Sequence, residues 1–253
     1  MSRLAVPGLA SPSSTLIRAQ PLRVRPGYRC SMTTPLAAPT LEIQRTLWVW
    51  CGVYVSAWVS GLLVGAPEVT PNDSSASIAE AYATSPSVLV NAALVHGLAA
   101  VALYGMSTLL GSERMRKATR GAGLATLVLS LVQLAGEALL TFGLASDGAA
   151  GVIGLDSGQI WAAIQVIDGV KMLALAALVL IVLVGQTRRV LWTTLVSGAT
   201  VLALLVSAAG YLTLIAPLMA AAYVALPLLL IWAVVAALRF GTPIAALEVT
   251  QAS

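Results

Sequence analysis

The chain has 253 residues, of which 58% are hydrophobic and only 9% are charged, and its mean hydropathy is +0.91. Soluble globular domains carry about 25% charged residues, so this composition excludes one and points to an integral membrane protein. A formal charge of +4 would suggest nucleic acid in a soluble protein. Here the basic residues sit in short connections and the amino-terminal segment, where they act as topology signals, and no nucleic-acid partner is expected.

In chain order, residues 1–41 read as a disordered basic extension. Its first 31 residues hold five arginines and no acidic residue, and Pro7 breaks the apolar stretch from Leu4 to Ala10 that a signal peptide would need. The segment fits an organellar transit peptide or an extension ahead of a start at Met32; the second is the better fit to the Ala- and Arg-rich composition. A bilayer core about 30 Å thick needs about 20 helical residues. Six segments within residues 42–240 meet that length, near 46–66, 88–110, 121–145, 159–184, 190–214 and 217–238. Only Pro217 punctuates the join between the last two, where a tight turn is expected because one span cannot run from Val190 to Leu238. Residues 241–253 read as a short tail.

Charge in the connections orients the bundle, because Lys and Arg collect on the cytoplasmic side. Arg3, Arg18, Arg23, Arg25, Arg29 and Arg45 precede the first span, Arg114, Arg116, Lys117 and Arg120 follow the second, Arg188 and Arg189 follow the fourth, and Arg239 ends the sixth. The alternate connections carry only Glu68, Asp73 and Glu80, then Asp147 and Asp156, then no charge. The expectation is an all-α, six-span bundle with both termini cytoplasmic and a cytoplasmic tail. Trp48, Trp50, Trp161 and Trp192 fall near span ends, where an aromatic belt would place them. Cys30 and Cys51 have no metal-ligand or CxxC spacing and read as free thiols.

Four ionisable residues, His96, Glu137, Asp168 and Lys171, lie inside the spans. A charge at a span centre costs roughly 2.5 to 3.5 kcal/mol on insertion scales, so such groups are expected to turn inward and find partners. Thr126, Ser130, Gln133, Glu137 and Thr141 form one stripe on the third span, at spacings of 4, 3, 4 and 4. The fourth span aligns Trp161, Gln165 and Asp168, with Lys171 one turn beyond, and the fifth aligns Thr193, Ser197, Thr200, Ser207 and Tyr211. In the second span His96, Tyr104 and Ser107 share a side and Asn91 points elsewhere. At about 1.5 Å per residue, the groups of spans two to four reach similar depths and are expected to meet in the outer half of the membrane. The predicted site is therefore Glu137, Asp168, Lys171, His96, Gln133 and Gln165. Asp168 and Lys171 can pair along one helix, and Glu137 has only Gln133 as a partner on its own. The Ser and Thr residues, with a small-residue seam at Ala57, Gly61 and Gly65, read as packing glue, and Pro227 as a kink.

A single histidine excludes a bis-histidine haem protein, and neither a zinc or di-iron ligand set nor a Walker motif is present, so no cofactor is expected. The residues SIAEAYATSPSVL and VNAALVHGLAAVALYG, with the span before them, resemble uncharacterised six-span membrane proteins common in actinobacteria, of the domain-of-unknown-function kind. The resemblance covers residues 45–145, implies a bacterial plasma-membrane location and brings no activity. Three functions stay open. The first is binding or moving a proton or a small polar or amphipathic solute through the polar seam, with Glu137 as the exchanging group. The second is modification of a lipid or isoprenoid by the same acid and base residues. The third is assembly with another membrane protein. The partners this implies are the lipid bilayer, a small solute or lipid ligand, and further copies of the chain.

Overall fold

A computed structural model of the protein describes residues 41–85, 87–112, 114–143, 154–186 and 190–241, within one compact unit spanning residues 38–253. Most of the basic extension and of the tail, together with Cys30, Asp147, Arg188 and Arg189, lies outside the described residues. Among those described, the structure is all-helical. Its elements are α1 (Leu41–Val64), α2 (Ser75–Ala83), α3 (Ser87–Ala92), a π-helical turn (Ala93–Leu98), α4 (Ala99–Leu109), α5 (Arg116–Thr141), α6 (Ser157–Val184), α7 (Leu191–Thr213), α8 (Ala216–Met219) and α9 (Ala222–Gly241).

Six helices are long and apolar enough to cross a membrane: Glu42–Val64, Ser87–Leu109, Arg116–Thr141, Ser157–Val184, Leu191–Thr213 and Ala216–Phe240. This is the architecture of a multi-pass membrane protein, and each span overlaps its sequence-predicted counterpart. The turn expected before Pro217 is present. Leu214 takes a left-handed conformation at φ 55°, and its N–H bonds Gly210 O. Gly210 is required there because a Cβ would collide with the backbone of Leu218 and Met219.

Successive spans pack as antiparallel neighbours, and α9 closes against α1. The register is fixed by small residues and polar ties. The Trp50 ring lies on Gly105, Asn91 Nδ2 donates to Gly61 O at 2.7 Å, Gly136 faces Ile164, and Thr200 Oγ1 donates to Leu228 O at 3.3 Å. This arrangement puts Arg45, Arg114, Arg116, Lys117, Arg120 and Arg239 at one end of the bundle, the basic end. Glu68, Asp73, Glu80 and Asp156 lie at the other, with α2. The main core joins α1, α4, α6, α7 and α9 around Tyr54, Leu103, Leu178, Leu204 and Trp232. The polar stripe of α7 is buried from Thr193 to Ser207. Its threonines turn back on their own helix, Thr193 to Val190 O and Thr200 to Val196 O at 2.8 Å each, as packing residues do.

Two local features depart from the sequence reading. The first connection contains a helix, α2, capped by Ser74, whose hydroxyl accepts from Ser77 N at 3.2 Å. It packs on α5 and α6 through a second core of Ile78, Tyr82, Val88, Leu140, Ile160, Trp161 and Ile164. That cover corrects the aromatic belt. Trp48 and Trp192 are 40% and 48% exposed, but Trp161 is 5% exposed because α2 folds over it, and Trp50 is spent on Gly105. The second departure is the π-helical turn in the middle of the second span, where the Ala99 N–H reaches back five residues to Leu94 O.

Candidate functional site

His96 lies within the π-helical turn, a geometry that inserts one residue into the helix and re-aims the side chains around it. There it meets α5 and α6. Lys171 Nζ lies 3.3 Å from His96 Nδ1, donates to Gln133 Oε1 at 2.5 Å and pairs with Asp168 Oδ1 at 2.6 Å. On the other side of the ring, His96 Nε2 lies 3.5 Å from Glu137 Oε1. Gln133 is held in turn by its Nε2, which donates to Ile164 O at 3.4 Å. The four ionisable groups thus form one line, Asp168, Lys171, His96, Glu137, drawn from three spans.

Lys171 thus donates to Gln133, forms an ion pair with Asp168 and stands within reach of His96 Nδ1. The consequence falls on His96. The tautomer in which Nδ1 accepts from the ammonium is the one that directs an Nε2–H toward the Glu137 carboxylate. The side chains are closed off from the surroundings, at 5% exposure for Lys171, 10% for His96, 14% for Glu137 and 15% for Asp168. Glu137 Oε2 is buried without a hydrogen-bond partner.

The structure brings together five of the six sequence-predicted site residues, His96, Gln133, Glu137, Asp168 and Lys171. The sixth, Gln165, is half-buried on α6, and no hydrogen bond joins it to the group. Gln133 serves Lys171 rather than Glu137, because the π-helical turn supplies Glu137 with His96 instead. The rest of the α5 stripe surrounds this point. Thr126 and Thr141 bond their own helix, to Ala122 O at 3.0 Å and Glu137 O at 2.8 Å.

Other residues near the group gave less sign of themselves in the sequence. A cavity of about 20 Å³, room for one water molecule, lies between α1, the second span, α5 and α6. Tyr54, Trp58, Thr126, Ser130 and Lys171 help to line it. Tyr211 is within electrostatic reach of Asp168, and Tyr82 of Glu137. Burial pushes the Tyr82 phenol above its ordinary range, and the Glu137 charge adds to that, so Tyr82 stays protonated. Its signal was its place four residues after Ile78, which makes one apolar face on a short capped helix. At the same end, the Gln159 backbone N–H, helped by Ser75 and the Gly158 N–H, holds the Asp156 carboxyl below the usual range against a small desolvation effect.

Among the described residues, no three His, Cys, Asp or Glu side chains converge as a metal site requires. No protein-family model, curated protein or solved structure matches the chain.

Proposed function

We propose that this chain is a membrane protein that exchanges protons within the bilayer, moving a proton alone or with a small polar or amphipathic solute through the group on the second span, α5 and α6. The observation that carries this reading is His96 standing between Lys171 and Glu137, one ring nitrogen toward each. Buried ionisable groups that serve packing alone need only be neutralised in pairs, as Asp168 and Lys171 are. A histidine bridging that pair to a further carboxylate creates a proton-conducting link and leaves Glu137 as the group that gains and loses the proton. Lys171 acts as the switch. While it faces Nδ1 that nitrogen is occupied, and when it swings wholly to Asp168, Nδ1 becomes free to take a proton.

The same reading puts the basic end in the cytoplasm and the α2 end outside, in agreement with the positive-inside rule. A bacterial plasma membrane is the proposed location. The test is an imposed pH gradient across proteoliposomes containing a trapped pH-sensitive dye. Wild-type protein collapses the gradient faster than empty liposomes. Glu137→Gln, nearly isosteric and able to keep a hydrogen bond to His96, reduces the rate to that of empty liposomes at unchanged expression. Wild-type rates in that variant would end the reading.

A further inference from the structure

Of the four ionisable groups, Glu137 lies closest to the α2 end, one turn and about 6 Å from the last residue of α5. Among the described residues, α2 lies between it and that end. Tyr82 packs with Leu140 in the same apolar cluster and feels the Glu137 charge directly. Beneath this cover a carboxylate oxygen is left without any hydrogen bond, an arrangement that is costly unless water reaches it at some stage.

The grip of α2 is small. The helix has nine residues, and only Ile78 and Tyr82 are buried, while Ala76, Ser77, Glu80 and Ala83 are exposed. Non-helical chain flanks it at 65–74 and 84–85. Among the described residues a side-chain tie crosses to α6, from Ser75 Oγ to Asp156 Oδ1 at 3.0 Å, and Asp156 is itself occupied as the N-cap of α6. A short helix with two buried anchors and non-helical chain on both sides can leave its seat without unfolding a span.

We infer that α2 is a cover, closed here over Glu137, and that its release admits water and protons to the buried group from the α2 end. The inference rests on the proton-exchange reading of that group. The geometry supplies its own lock. A Cβ placed on Gly158 would stand 3.7 Å from the Ser75 Cβ, within the roughly 3.5 to 4.5 Å spacing of disulfide-linked residues.

The experiment uses the full chain carrying S75C and G158C with Cys30→Ser and Cys51→Ala, oxidised or reduced in proteoliposomes, with the disulfide confirmed by mass. Two quantities are read, dye-reported proton exchange and modification of Glu137 by a water-soluble carbodiimide. Oxidation is expected to lower both to background, and reduction to restore both, with the S75C single variant unaffected by oxidant. Equal exchange and equal labelling in the two states would overturn the cover while leaving the exchange reading standing. Labelling that follows the lock when neither state moves protons would uphold the cover and overturn the exchange reading. Failure of the pair to oxidise would overturn the seated position of α2 itself.

Discussion

At the scale of single residues the group is defined by the pairing of its charges. Removing Lys171 would leave Asp168 as an uncompensated charge and Gln133 Oε1 without its donor. Lys171→Met is therefore expected to destabilise the protein by about 3 to 5 kcal/mol, the usual cost of breaking one side of a buried pair. Lys171→Met with Asp168→Asn should recover most of that loss, because no lone charge remains. Unfolding midpoints in mild detergent check both, and a double variant as weak as the single would refute the pairing. This inward convergence was legible in the sequence, since an apolar solvent leaves His96, Glu137, Asp168 and Lys171 nowhere else to turn. Which acceptor each donor takes was not legible. Gln133 lies one turn from Glu137 and looked like its partner, yet it bonds across to α6, and Gln165 keeps the right periodicity without entering the group.

At the scale of elements, spans and turns followed from length, hydropathy and punctuation, while the two irregular elements did not. The π-helical turn at Ala93–Leu98 has no composition of its own. It follows Asn91, which is tied to Gly61 on α1, and it holds His96, which meets α5 and α6. The helix α2 was hidden because nine residues with two apolar anchors are too few to register as a periodic pattern. Close packing makes a sharper element-scale prediction. A Cβ at Gly105 would stand 2.6 Å from the rigid ring of Trp50, whereas one at Gly198 would meet nothing within 4 Å. Gly105→Ala should cost about 1 to 3 kcal/mol through forced separation of α1 and α4. Gly198→Ala should be neutral or slightly stabilising, by up to about 1 kcal/mol, from the better helix propensity of Ala. Thermal midpoints of the two variants, measured side by side, decide it.

At the scale of the whole molecule, the described arginines and Lys117 gather at one end and α2 lies at the other, which gives the orientation a direct test. In protein lacking Cys30 and Cys51, S77C on the exposed face of α2 should react with a membrane-impermeant maleimide in intact cells. R120C, at the start of α5, should react only after permeabilisation. The reverse pattern would invert the bundle and place the covered end in the cytoplasm. The alternation of basic and acidic connections was the most readable property of the sequence, because it depends on composition between spans rather than on contacts within them.

The contact of α9 with α1 has a consequence for biogenesis. The Trp232 side chain, 1% exposed once assembled, belongs to α9 and docks into a core that includes Leu47, Cys51 and Tyr54 of α1. Until the ribosome has delivered α9, that flank of α1 lacks its partner. A nascent protein truncated before residue 222 would thus insert with a permanently open side, a ready target for membrane quality-control proteases.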